Sequence, residues 1–145
     1  MSVWVKNERV KKEQVSSVRK ILQAVGKEVY IENENLLDVV TAISGSGPAY
    51  IFYLAELCET SGVKLGLGRK LAKLIAHQTL SGSAKLLEKS LKSARTLRKE
   101  VTSKGGTTEA AFDTMNKSGF KKIFFSAIKS ACKRAKELRM KNRVS

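Results

Sequence analysis

The sequence predicts a mainly α protein: a helical bundle over residues 34–145, preceded by a short α/β remnant of one helix and one strand over residues 1–33. Three observations predict this. A single proline, Pro48, stands in 145 residues, and proline is the residue that most disrupts a helix. Apolar side chains recur at helical spacing through most of the chain. The chain also opens on a helix followed by a strand, the order found at the tail of an α/β domain. With 42% hydrophobic residues it can build one packed domain, which excludes wholesale disorder.

The elements follow in order. Val3-Trp4-Val5 reads as a short strand or a frayed end. Val15, Val18, Ile21, Leu22 and Val25 space an amphipathic helix from about Val10 to Val25. Gly26 closes it, since glycine accepts a left-handed backbone after a helix. Lys27–Ile31 reads as a strand. Leu36–Ile43 is apolar and helical, with Asn35 or Asp38 near its start. Ser44-Gly45-Ser46-Gly47-Pro48 marks a break, and Pro48 suits the first turn of the next helix.

Ala49–Thr60 is apolar around most of its circumference, which predicts burial on most sides. Gly62 and Gly66–Gly68 mark a connection. Lys70–Leu87 is a long helix whose small residues (Ala72, Ala76, Ser81, Gly82, Ser83 and Ala84) let another helix approach closely, in a second chain or in the same bundle. Ser93–Val101 is a short helix. Thr102–Thr108 is a polar, glycine-bearing loop, Glu109–Asn116 resumes the helix, and Gly119 interrupts it. Phe120–Met140 carries Phe120, Ile123, Phe124, Ala127, Ile128, Ala131, Ala135 and Leu138 on one face, with Lys and Arg opposite.

The formal net charge is +15. Such a charge invites a nucleic-acid partner, and residues 117–145 are the most basic stretch. Yet the charge is spread through amphipathic segments, and no aromatics are interleaved for base stacking, so a lysine-rich solvated surface is the reading adopted. Cys58 and Cys132 sit in apolar helical patterns and read as buried, reduced thiols. His77 has no metal partner in the pattern, so no metal site is expected. No run is apolar enough to span a membrane, and the N-terminus lacks a signal-peptide core. The expected address is the cytoplasm.

The loop Thr102–Thr108 is the best candidate for chemistry. Gly105 and Gly106 leave backbone N–H groups accessible. The following helix directs its unpaired N–H groups and positive dipole end into the loop, which suits a carboxylate or phosphate. Thr107 and Thr108 add hydroxyls. The alternative is a plain connection with Thr107 as N-cap. Gly45-Ser46-Gly47 and Gly66-Leu67-Gly68 both lack the third glycine of a dinucleotide fingerprint, and no phosphate-binding loop of the GKS type occurs. No Ser–His–Asp array or paired-carboxylate site is present, so any chemistry belongs to a cofactor, with the protein supplying binding and orientation.

Two segments carry a family likeness. Thr41-Ala42-Ile43-Ser44-Gly45-Ser46-Gly47-Pro48-Ala49-Tyr50 and Val101-Thr102-Ser103-Lys104-Gly105-Gly106-Thr107-Thr108 resemble the TAxSGSGPAY and VTSPGGTT motifs of pyrroline-5-carboxylate reductases. The resemblance runs from about residue 10 to residue 140. It implies reduction of 1-pyrroline-5-carboxylate to L-proline with NADPH or NADH, and a homodimer formed by intertwined helical domains. It also implies a substrate carboxylate held at Ser103, Gly105, Gly106, Thr107 and Thr108. Thr108 would be the catalytic residue reaching the ring nitrogen, and Thr41 would line the pocket. Residues 1–33 resemble only the last helix and strand of the family's dinucleotide-binding domain. The chain therefore reads as truncated, without its own cofactor-binding residues, and would need a separate nucleotide-binding domain or act as a non-catalytic dimerisation module. Lys104 replaces the motif's proline, Lys99 stands where members usually have an acid, and Ser93-Ala94-Arg95 lacks the usual His-Pro-like start.

Overall fold

The computed structural model describes residues 1–143 and is mainly helical. The last two residues of the expected bundle, Val144 and Ser145, lie outside the described residues. Two compact units divide the chain: Met1–Gly47 with Ala127 onward, and Pro48–Ser126.

The first unit opens with strand β1 (Ser2–Trp4), helix α1 (Lys12–Ala24) and strand β2 (Glu28–Tyr30). The strands pair in parallel, Val3 opposite Val29. The Val3 segment is thus a strand, and the α/β portion has two strands where the sequence suggested one. A three-residue strand is too short to show alternation, and its partners define it. The Trp4 indole N–H donates to Glu28 Oε2 at 2.7 Å, and the Trp4 and Tyr30 rings lie 5.0 Å apart. The Glu28 side chain is only 7% exposed and also meets Arg19 Nε at 3.1 Å and Gln23 Nε2 at 3.2 Å. One buried carboxylate therefore joins β1, α1 and β2, tolerated because it is fully hydrogen-bonded.

Helix α2 (Leu36–Val40) runs into a π-helical turn, Thr41–Gly45. Ser46 N–H donates to Thr41 C=O, five residues back, at 2.8 Å. The break expected at Ser44–Pro48 is therefore a widened helical turn. In a regular helix the Pro48 ring would clash with the Ser44 carbonyl, and widening the turn relieves that clash. The carboxylate of Asp38, on α2, is buried. It accepts from Arg139 Nε at 3.2 Å and Nη2 at 2.9 Å, while Nη2 also reaches Asn35 Oδ1 at 3.4 Å. The hydrogen bonds that Arg139 donates to the Asp38 carboxylate raise the Arg139 pKa above its ordinary value. This two-pronged pair fastens α2 to helix α7 (Phe120–Arg143).

The second unit holds α3 (Gly47–Lys64) from Pro48 on, α4 (Arg69–Lys89), α5 (Ala94–Glu100), α6 (Thr107–Lys117) and the first turns of α7. Gly62 lies inside α3, not in the connection. A Cβ there would come within 3.2 Å of both Ala72 Cβ and Leu67 Cδ1, so the missing side chain is what admits α4. The connection itself turns at Gly66, φ +102°. Ala72, which meets Gly62, and Ala76 are buried, whereas Ser81, Gly82, Ser83 and Ala84 stay exposed. Of α4's small residues, Ala72 is thus used within the chain.

The buried hydrophobic residues are Ala42, Ala72 and Ala76, and no large side chain is fully buried among the described residues. Helix α3 departs most from expectation: Ile51, Phe52, Tyr53 and Leu57 are exposed, Phe52 by 70%. Sequence periodicity reports that a face is apolar, but among the described residues nothing covers these side chains. Cys58, on the same helix, is exposed and Cys132 is half-buried, so neither thiol is buried as expected. On α7 the predicted apolar face is present, yet Phe120, Ile123, Phe124 and Leu138 are exposed. Among the described residues no helix is long and apolar enough to cross a membrane.

Candidate functional site

The glycine loop lies between α5 and α6. Ser93 caps α5, its hydroxyl accepting from Thr96 N–H at 3.1 Å. Thr102 follows α5, its hydroxyl donating to Arg98 C=O at 2.7 Å. Next comes a four-residue turn, Ser103-Lys104-Gly105-Gly106, in which Gly106 N–H donates to Ser103 C=O at 3.1 Å. Gly105, third in the turn, has φ +72°, the left-handed value of a type II turn. Lys104 occupies the second position, which proline would stiffen. At Gly106 an added Cβ would collide with Ser103 Oγ, so this glycine is required for space and Gly105 for conformation.

Gly106 is the N-cap and Thr107 the first helical residue of α6, so the alternative with Thr107 as N-cap does not hold. Ala110 N–H closes the first helical bond to Gly106 C=O at 3.2 Å. The N–H groups of Thr107, Thr108 and Glu109 lie too early in the helix to have a partner within it. Thr108 is half-buried; Ser103, Gly105 and Thr107 are exposed. These residues and Gly106 form one continuous loop. Three N–H groups without a helical partner and two hydroxyls at the positive end of a helix make an oxyanion-binding arrangement. Thr41 belongs to the other unit, where it opens the π turn and its hydroxyl donates to Leu37 C=O at 2.8 Å.

Sequence reasoning missed Glu109. Its carboxylate accepts from Gly105 N–H at 2.6 Å. The available signal was an acid at the third helical position, the spacing of a capping box though with glycine as the cap; starting the helix at Glu109 hid it. Arg98 was missed as well. Its guanidinium carbon lies 5.2 Å from the centroid of the Phe112 ring, a cation–π distance. Arg98, Lys99, Thr102, Phe112 and Asn116 line a cavity of about 380 Å³. Lys99 thus stands with a second cation beside the loop.

Other candidate chemistry is sparse. His77 Nε2 pairs with Glu59 Oε1 at 2.7 Å, and among the described residues no three His, Cys, Asp or Glu side chains gather as a metal site. The β1–α1 connection has no glycine between Val5 and Lys11, and Lys11 N–H is taken by Gln14 Oε1 at 2.8 Å. These residues do not fit a nucleotide pyrophosphate, which needs a glycine turn and open N–H groups.

Comparison with known proteins places this geometry in context. Residues 34–138 match the family model described as pyrroline-5-carboxylate reductase dimerisation. The chain is similar to pyrroline-5-carboxylate reductase 1 of Bacillus spizizenii, 44% identical over 77% of this chain and 37% of that protein. It is likewise similar to the Synechocystis pyrroline-5-carboxylate reductase, 37% identical over 95% of this chain and 51% of that protein. Among solved structures, a Coxiella burnetii pyrroline-5-carboxylate reductase superposes with TM-score 0.86 at 36% identity, covering 94% of this chain and 51% of that one. The Plasmodium falciparum pyrroline carboxylate reductase with NADP bound gives TM-score 0.84 at 33% identity, covering 94% and 52%. The chain spans about half the length of such relatives or less.

Proposed function

The chain belongs to the pyrroline-5-carboxylate reductase family, and from that premise we propose that it serves the reduction of 1-pyrroline-5-carboxylate to L-proline with NADPH or NADH. The observation that carries this reading is the loop Ser103–Thr108. Its unpaired N–H groups at Thr107 and Thr108 suit the single carboxylate that substrate and product share. Thr108 is the residue assigned to the ring nitrogen, where its hydroxyl donates or accepts. Ser103, Gly105, Gly106 and Thr107 shape the carboxylate end. The nicotinamide cofactor supplies the reducing equivalents. In this reading residues 1–33 belong to a dinucleotide-binding domain and residues 34–145 to the helical, substrate-binding one. The setting is the cytoplasm.

Two copies associate through the helical region. The exposed apolar faces of α3 and α7 support this, because uncovered aromatic and aliphatic side chains are relieved by burial against another chain. The exposed apolar faces of α3 and α7 favour one second reading: a binding and assembly module that keeps the carboxylate site and the self-association face without turnover.

A steady-state assay with 1-pyrroline-5-carboxylate and NADPH, run with and without an added nucleotide-binding domain, separates the two. Turnover only with the added domain supports the reductase reading. Turnover by the chain alone overturns the requirement for that domain, and no turnover with retained L-proline binding favours the module. Titration calorimetry with L-proline tests the site directly. Thr108→Val keeps the shape and removes the hydroxyl, and should weaken binding by about 1 kcal/mol, the worth of one hydrogen bond.

A further inference from the structure

We propose that the cavity between α5 and α6 is a second anion site, suited to a phosphate group and separate from the glycine loop. Arg98, Lys99, Thr102, Phe112 and Asn116 line it, and all lie in the second unit. Its volume of about 380 Å³ falls in the range of small-molecule pockets. Two of the five lining residues are cations and none is an acid. Two acids close by in the chain are committed elsewhere. Glu100 meets Lys92 Nζ at 2.7 Å, and Glu109 Oε2 accepts from Gly105 N–H at 2.6 Å. Asp113, next to Phe112, does not line the cavity. Among the described residues neither the Arg98 nor the Lys99 side chain has a carboxylate partner or a hydrogen-bond acceptor. Two positive charges with unused donors therefore face one cavity.

The Phe112 ring holds one of these charges in place. The Arg98 guanidinium carbon lies 5.2 Å from the ring centroid, a contact that uses the cation's charge and none of its N–H donors. A side chain already held against a ring loses less freedom when it binds. Its fork of N–H groups matches two oxygens of one anion. Lys99 adds a compact second charge, and Asn116 an amide that can donate. The Thr102 hydroxyl already donates to Arg98 C=O at 2.7 Å, so toward a ligand it can only accept. That suits the O–H that a phosphate can carry and a carboxylate at neutral pH cannot. Two cations also attract a dianion more than a monoanion, since the Coulomb energy scales with the ligand's charge. The glycine loop works through backbone N–H groups of the first turn of α6, so the two sites share no donor.

The experiment titrates the whole chain with inorganic phosphate and with acetate, followed by NMR of the Arg98 Nε–H, the Asn116 side-chain amide and the backbone amides of the glycine loop. Phosphate should bind more tightly than acetate and move the Arg98 and Asn116 resonances. Arg98→Gln should weaken phosphate roughly ten-fold, the worth of hydrogen bonds to a charged group. Arg98→Lys, which keeps the charge and loses the fork, should weaken it less. Lys99→Gln should cost about three-fold, as an exposed charge pair does. Phe112→Leu changes no charge but releases the guanidinium, and should weaken phosphate by a similar factor. Lys70→Gln, which removes one charge from the start of α4, should change little. Equal losses in Arg98→Gln and Lys70→Gln would mean that phosphate answers only to the net charge of +15, and would overturn the proposal. So would acetate binding as tightly as phosphate. Displacement of phosphate by L-proline, with the Thr107 and Thr108 amides moving in place of Arg98, would put the anion at the glycine loop and remove the second site.

Discussion

Two adjacent glycines in the loop have different reasons to be glycine. Gly105 sits at φ +72° with open space where a Cβ would be, so alanine there costs backbone strain of about 1–2 kcal/mol. Gly106 has an ordinary backbone, and the obstacle is Ser103 Oγ. Thermal unfolding should therefore show both Gly105→Ala and Gly106→Ala destabilised, but only Gly106→Ala partly rescued by Ser103→Ala. Equal rescue of both would refute the distinction. Arg139 offers a second test. Its paired guanidinium contributes stability that is present below the ordinary arginine pKa and is lost only as pH rises through the raised value. The Arg139–Asp38 pair should therefore survive the whole practical alkaline range. Arg139→Lys should lower the melting temperature, since an ammonium cannot match both carboxylate oxygens. Arg139→Ala should lower it further by leaving Asp38 buried without its partner. Unchanged melting in Arg139→Ala would remove the pair from the account of the first unit.

At the level of elements, close approach of α3 and α4 depends on Gly62. Alanine at an exposed helical position normally stabilises relative to glycine by about 1 kcal/mol. At Gly62 the 3.2 Å approaches to Ala72 and Leu67 oppose that gain. Gly62→Ala should come out near neutral by denaturant unfolding, and Gly62→Val clearly destabilised. A stabilised Gly62→Val would show that the two helices do not meet as described. The elements also show what periodicity reads well. Helices α1, α4 and α7 extend close to their expected spans, because each has a long amphipathic repeat. The π turn at Thr41–Gly45 was read as a break, because Gly-Ser-Gly-Pro signals punctuation and nothing in a linear pattern distinguishes a widened turn from an end. Gly62 was read as connection for the same reason, since its role depends on Ala72 and Leu67.

Across the whole molecule the notable fact is how little this chain buries by itself. Ala42, Ala72 and Ala76 are its fully buried hydrophobic residues among those described, and alanines remove little apolar area from water. The proposed self-association predicts a dimer in analytical ultracentrifugation. Phe52→Glu, at a site 70% exposed in the single chain, should shift it toward monomer or aggregate. A dimer untouched by Phe52→Glu would move the interface away from this face of α3, and a well-folded monomer would end the proposal. An apolar dye such as ANS should bind Phe52→Glu more strongly than the unaltered chain if the face becomes uncovered.

The amino-acid sequence by itself determined the mainly helical class, the family and the loop Ser103–Thr108, because these rest on local periodicity, a rare proline and two contiguous motifs. The pairing of β1 with β2, the Asp38–Arg139 bond, the exposure of α3 with Cys58, and the hold of Glu109 on Gly105 were decided by tertiary structure. Each depends on which groups meet in space. Burial depends on what covers a face, and a hydrogen bond depends on where a turn carries its donor; neither quantity is written in the spacing of residues along a chain.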